Sequence, residues 1–279
     1  MTSHSALLHA TDGGGRPAVR HPYLDHPGPL AFAHRGGTLG GPENSVAAFE
    51  RAVRLGYRYL ETDVHTTADG VLVAFHDERL ERVTDGEGAI AQLPWRTVSA
   101  ARIGGREPIP TLEELLDAFP EARFNIDVKA PAAVHPLVDA VRRTNAWDRV
   151  CAGSFSEARL AAVRAAAGPR LATAAGPRAV AAVKLRALAG GRVPLARAAR
   201  RRAVCLQVPE RMLGGGDTGP RLVDRAFLET AHALGLQVHV WTVNEAERIT
   251  SLLDLGVDGI MTDRIDVLRD VLTERGAWI

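Results

Sequence analysis

The chain has 279 residues, 46% of them apolar and 24% charged, with a formal net charge of +1 at pH 7. That length allows one large domain or two small ones around a sizeable core. Near neutrality excludes the broad basic field of a nucleic-acid binder, and two cysteines in apolar β-like runs, Cys151 and Cys205, exclude a cysteine metal motif. We expect two reduced core thiols and a cytoplasmic protein.

Residues 1–29 carry no basic n-region and only a short apolar stretch, 6–10, so they form neither a signal peptide nor a membrane span, and stable membrane insertion is not expected. They read as a flexible N-terminal leader, with Tyr23 and Leu24 able to dock on the catalytic domain that fills 30–279. From residue 30, β-like runs at 30–34, 59–64, 123–129, 150–155, 170–173, 203–208, 237–243 and 259–262 alternate with segments of helical period. The helices are expected at 43–55, 112–119, 132–144, 156–167, 177–188, 222–234, 244–255 and 265–273. Thr111 and Glu114 are spaced as a capping box, and Gly56, Gly235 and Gly256 stand at helix ends.

Eight strand–helix units in about 250 residues predict a (β/α)8 TIM barrel. A doubly wound sheet ranks second, because no G-x-G-x-x-G follows a strand. After the second strand, "TADG" at 67–70 signals a tight turn, so 71–76 should form an extra strand. The insertion that follows, up to Thr111, lacks periodicity and reads as loop at the barrel mouth. "MLGGGDTGP" at 212–220 lacks the Lys-Ser/Thr of a nucleotide loop and is expected to cover the mouth after the sixth strand. "RRR" at 200–202, with Arg192 and Arg197, reads as a solvated connection.

In a parallel barrel, chemistry gathers at the C-terminal strand ends. Here those ends supply His34 and Arg35, Glu61 and Asp63, His76 and Asp77, Asp127 and Lys129, Ser154, and Trp241 with Asn244. A strand period of two puts Glu61 and Asp63 on one face of their strand, and Asn125, Asp127 and Lys129 likewise on one face of theirs. Carboxylates at the mouth are costly to desolvate, so they should be paired or hold metal, and oxygen donors suit Ca²⁺ or Mg²⁺ rather than zinc. The competing arrangement pairs these acids directly with Arg35 and Lys129. His65 shares the face of Asp63 but reads as structural, like His232 and His239.

Taken together, "HRGG…PENS…AF", "ETDVHTTADGVLVAFHDERLERVTDGEG", "IPTLEELL", "NIDVK", "SF" and "VWTVNE" resemble the glycerophosphodiester phosphodiesterase family over about residues 30 to 270. The resemblance implies a TIM barrel that hydrolyses glycerophosphodiesters, small-molecule substrates, to sn-glycerol 3-phosphate and an alcohol with a divalent metal ion. It implies attack by a glycerol hydroxyl, giving a cyclic phosphate that water then opens. Matched position by position, His34 and His76 take general acid–base roles, Glu61 and Asp63 the metal-binding E-x-D, and Arg35 and Lys129 phosphate contacts. Glu43 lines the site. Asp127 completes the metal set where the family usually has a glutamate, one methylene longer. Trp241 at its strand end suits substrate contact. Two other readings stay open: a lysophospholipase D-like phosphodiesterase on the same barrel, and a non-catalytic barrel that binds phosphoesters.

Overall fold

The computed structural model describes residues 21–38, 42–191, 203–212 and 218–279. In chain order its elements are β1 (Leu30–His34), α1 (Val46–Arg54), β2 (Tyr59–Thr66), β3 (Leu72–Ala74), α2 (Trp95–Val98), β4 (Arg102–Ile103), β5 (Glu107–Pro108), α3 (Leu112–Ala118), β6 (Arg123–Val128) and α4 (Val134–Arg143). There follow β7 (Val150–Gly153), α5 (Glu157–Ala167), β8 (Ala172–Thr173), α6 (Pro177–Leu188), β9 (Cys205–Pro209), α7 (Arg225–Ala233), β10 (Gln237–Trp241), α8 (Ala246–Leu255), β11 (Gly259–Thr262) and α9 (Ile265–Glu274).

Eight parallel strands run in the order β8-β7-β6-β2-β1-β11-β10-β9. A parallel bridge from Ala174 to Cys205 joins the two ends of that path, so the sheet closes as the predicted barrel and a doubly wound sheet is excluded. Alternation along each strand sorts the side chains. Leu60, Val64, Phe124, Ile126, Val238 and Val240 face outward and are buried against helix residues such as Phe49, Leu137 and Leu268. Each such burial contributes about 1.5–3 kcal/mol. The inward set of the lower barrel, Phe32, Tyr59, Cys151, Cys205 and Met261, packs with Tyr23 and Leu24. The leader therefore docks where expected: Tyr59 donates its hydroxyl proton to the Tyr23 carbonyl at 2.8 Å, closing the N-terminal end of the barrel. Its first 20 residues, the "RRR" stretch with Arg192 and Arg197, and residues 213–217 of "MLGGGDTGP" lie outside the described residues. Both cysteines are free and buried.

Two departures from the sequence reading have plain causes. Helix α1 begins at Val46 rather than at Glu43, because Asn44 sits at φ 54° and Ser45 is the N-cap, its hydroxyl accepting from Ala48 N at 3.1 Å. The insertion is also not loop alone. The extra strand expected at 71–76 is there as β3, which pairs antiparallel with the end of β2 through a turn at Gly70. Val73, Phe75, Leu80, Ile90, Val98, Ala101, Ile103 and Ile109 then form a separate apolar core. Val73 and Phe75 keep the alternation of the expected extra strand, while the others come from short turns, α2 and the β4–β5 hairpin and follow no sequence period.

Candidate active site

His34 ends β1 and points its Nδ1 at Asp263 Oδ1, 2.7 Å away, just beyond β11. Asn244 fixes that carboxylate: its Oδ1 accepts from Asp263 N at 2.9 Å and its Nδ2 donates to Asp263 Oδ2 at 3.2 Å. Burial alone would lower the His34 pKa, but Glu61, whose Oε2 is 3.7 Å from Nε2, and Asp263 together hold it above the ordinary imidazole value. Asp263 is held low by His34 in spite of its own burial.

Arg35 follows at φ 53°, a left-handed conformation that ties its N–H to the Glu61 carbonyl at 2.9 Å. Its Nη1 donates to Glu43 Oε1 at 3.0 Å, and its Nε lies 3.3 Å from Asp63 Oδ2, an ion pair without hydrogen-bond geometry. The neighbouring glycine serves the helix rather than the substrate. A Cβ on Gly36 (φ 83°) would fall 2.7 Å from Ala48 Cβ and 2.9 Å from Phe49 N, so only glycine lets this turn seat on α1.

Strand β3 carries the chain into Phe75 and His76. His76 Nδ1 meets Asp77 Oδ1 at 2.6 Å, and the buried His65 supports the arm from behind, its Nε2 3.1 Å from the His76 carbonyl oxygen. Arg82 Nε donates to Asp77 Oδ2. The same guanidinium reaches Glu43 twice, Nη2 to Oε1 at 2.7 Å and Nη1 to Oε2 at 3.2 Å.

Register places Glu61 opposite Asn125 and Asp63 opposite Asp127. Lys129 Nζ sits 2.8 Å from both Asp63 Oδ1 and Asp127 Oδ2. Direct pairing of acid with base is thus the arrangement seen. Among the described residues no three of His, Cys, Asp or Glu stand gathered as an ion-holding set. Negative charge is still in excess. Burial, reinforced by Asp63, pushes Glu61 up to about 7, and burial raises Asp127 against the pull of Lys129. Asp63 Oδ2 and Asp127 Oδ1 are buried without a hydrogen-bond partner.

Trp241 ends β10 with its ring 5.7 Å from that of Phe155 at 76°, and Phe155 is 55% exposed. Ser154 is tied to the Val128 carbonyl at 2.8 Å and works as a strand-end brace. The structure thus brings His34, Arg35, Glu43, Glu61, Asp63, Asp127 and Lys129 into one connected network, joins His76 to it through Asp77 and Arg82, and sets Trp241 apart against Phe155. Sequence reasoning missed Asp263 and Arg82 and placed Phe155 at its strand end without a role, whereas the structural reading of His65 holds. Asp263 had a signal, being the acid at the end of the eighth barrel strand. Arg82 had none, because no period links it to Asp77.

Two imidazoles backed by carboxylates beside fixed cations at a barrel mouth define a class: a (β/α)8 enzyme acting on a small anionic molecule. Residues 34–267 match the glycerophosphoryl diester phosphodiesterase family, and the chain belongs to it. It is accordingly a phosphoric diester hydrolase. A Mycobacterium tuberculosis protein named "Probable glycerophosphodiester phosphodiesterase 2" is 46% identical over 95% of this chain and 98% of its own. A solved Silicibacter pomeroyi protein carrying the glycerophosphoryl diester phosphodiesterase name superposes with a TM-score of 0.75 at 25% identity, covering 93% of this chain and all (100%) of its own. An Oleispira antarctica phosphodiesterase, solved with the product sn-glycerol 3-phosphate, shares the fold at a TM-score of 0.69 and 22% identity over 88% of this chain and 97% of its own. Among the described residues no helix is long and apolar enough to cross a membrane.

Proposed function

We propose that the enzyme hydrolyses glycerophosphodiesters to sn-glycerol 3-phosphate and an alcohol in the cytoplasm, with His34 and His76 as the proton-transfer pair and a divalent cation, Ca²⁺ or Mg²⁺, at Glu61, Asp63 and Asp127. One observation carries the histidine assignment: each ring commits Nδ1 to a carboxylate, Asp263 at 2.7 Å and Asp77 at 2.6 Å. That fixes the tautomer and leaves Nε2 of each ring to take or give a proton. Displacing an alkoxide from a phosphodiester needs a base for the entering oxygen and an acid for the leaving one, and two imidazoles supply both near neutral pH. Arg35 and Lys129 add fixed positive charge where the phosphoryl group must sit.

The carboxylates fit a hard cation. All three offer oxygen, two of those oxygens (Asp63 Oδ2 and Asp127 Oδ1) accept no hydrogen bond, and Glu61 is held from ionising freely by burial and Asp63. Bound there, the cation supplies neutralisation of charge developing on phosphoryl oxygens. Two buried free thiols support a reducing compartment. The exposed Phe155 ring beside Trp241 favours a second reading, in which the glycerol that stays on the phosphate carries an acyl chain, as in a lysophospholipid, and choline leaves.

Turnover of glycerophosphocholine should fall about 100-fold or more in His34→Ala and in His76→Ala, with the fold retained. EDTA should abolish activity, and Ca²⁺ or Mg²⁺ should restore it. Full activity in either variant refutes the proton-transfer pair, and indifference to EDTA removes the cation. Release of choline from lysophosphatidylcholine in preference to sn-glycerol 3-phosphate from glycerophosphocholine would establish the second reading.

A further inference from the structure

The guanidinium of Arg82 joins two parts of the site that belong to different bodies. On one side is the lobe between β2 and α3, which carries His76 and Asp77 on its own apolar core. On the other is the first barrel loop, which carries Arg35 and Glu43. Arg82 spends three nitrogens on the junction, with Nε on Asp77 Oδ2, Nη2 on Glu43 Oε1 and Nη1 on Glu43 Oε2. Each of those carboxylates holds a member of the proposed machinery by its own contact: Asp77 the Nδ1 of His76 at 2.6 Å, and Glu43 the Nη1 of Arg35 at 3.0 Å. The run His76–Asp77–Arg82–Glu43–Arg35 is therefore a continuous chain of charge-assisted hydrogen bonds.

The backbone of the His76 arm is tied to β2 by Phe75 N–H on the Asp63 carbonyl at 2.9 Å and by His65, but no packing joins the Asp77 and Glu43 side chains. An open cleft of about 640 Å³ separates the two bodies, lined by Thr38, Pro42 and Glu43 on the barrel side and by Val83, Ile103 and Gly104 on the lobe side. Two carboxylates would repel each other across it, and the planar five-donor fork of an arginine is what can bridge them. We propose that Arg82 is a positioning residue for the hydrolysis: acting through Asp77 and Glu43, it fixes the His76 ring at a set distance from the Arg35 phosphate contact. This rests on the proton-transfer role of His76 proposed above. Arg82 is 47% exposed, so its ion pairs are screened and add little stability. The effect belongs in geometry, and hence in turnover.

The test uses the full-length enzyme as wild type, Arg82→Gln, Arg82→Lys, His76→Ala and the double variant Arg82→Gln/His76→Ala, with glycerophosphocholine as substrate and the activating cation present. Arg82→Gln should melt within about 3 °C of wild type and lose about 10- to 30-fold in kcat with KM changed less than about 3-fold. Arg82→Lys keeps the charge but lacks the fork, and should fall with it. Adding Arg82→Gln to His76→Ala should cost nothing further, because residues that act as a unit are not additive. Multiplying losses in the double variant, or wild-type kcat in Arg82→Gln or Arg82→Lys, overturn the proposal. If Arg82→Gln does not fold, Arg82→Lys decides. A second arm does not depend on turnover: ¹⁵N spectra of the His76 ring should show the Nδ1–H tautomer in wild type and a tautomer mixture in Arg82→Lys. An unchanged tautomer overturns the proposal even if glycerophosphocholine proves not to be a substrate, which would instead count against the proposed function.

Discussion

In the proton-transfer role proposed for it, His34 needs one of its two nitrogens already spoken for. Asp263 does this at 2.7 Å, and Asn244 holds Asp263 in turn through its backbone N–H and its Oδ2. Replacing the carboxylate by an amide keeps the shape but lets the imidazole flip or change tautomer, as in any acid–base histidine whose orienting acid is lost. Asp263→Asn should therefore lower kcat by about 10- to 100-fold while leaving the melting temperature within a few degrees of wild type. Steady-state kinetics beside a thermal melt check this, and unchanged kcat would mean that Asp263 merely ends a strand. The difference in legibility between these two residues is instructive. His34 stands out because an arginine and two glycines crowd behind it, whereas Asp263 follows an apolar strand, as acids do at many turns, and only its distance to His34 gives it meaning.

Elements with a period were readable, and elements without one were not. The first and last barrel strands, Leu30–His34 and Gly259–Thr262, occupy the expected residues because each is a compact apolar run bounded by turn residues. The paired faces of β2 and β6 followed from strand alternation, and register then put Asp63 beside Asp127. The lobe between β2 and α3 was opaque beyond Val73 and Phe75, because its other core residues arrive singly from turns and short elements with no 2- or 3.6-residue period. That lobe nonetheless supports His76, so under the role proposed for that histidine its packing bears on catalysis. Ile103 is 1% exposed in its core, on the two-residue strand β4. Ile103→Ala should cost about 2–4 kcal/mol locally. Because the lobe core is separate from the main barrel core, amides of 72–109 should exchange faster while those of β6 and β10 keep their protection. Activity should drop with the loosened His76 arm. Uniform loss of protection across barrel and lobe would show instead that the two cores unfold as one.

Closing the barrel obliges it to bury polar groups along its axis, and one of them makes the whole molecule sensitive to acid. His239 lies on β10, fully buried, its ring 5.0 Å from Phe32, with Nε2 3.1 Å from Gln237 Oε1 and Nδ1 without a partner. Burial pushes its pKa from the ordinary 6.5 down to about 4, with Asp258 pulling the other way. The folded state therefore refuses a proton that the unfolded chain accepts. Between pH 6.5 and 4 the unfolded state binds more protons, so stability is fully present above pH 6.5 and declines as pH falls through that window. The gap between 6.5 and about 4 corresponds to roughly 3 kcal/mol, a large part of an ordinary folding free energy. Chemical denaturation of wild type and His239→Gln at pH 7.5 and pH 4.5 isolates the contribution. Wild type should lose more stability than the variant over that interval, by about 2–3 kcal/mol, even if the variant is weaker at pH 7.5. Parallel losses in the two proteins would place the acid sensitivity elsewhere, in the carboxylates of the mouth rather than in the histidine beneath them.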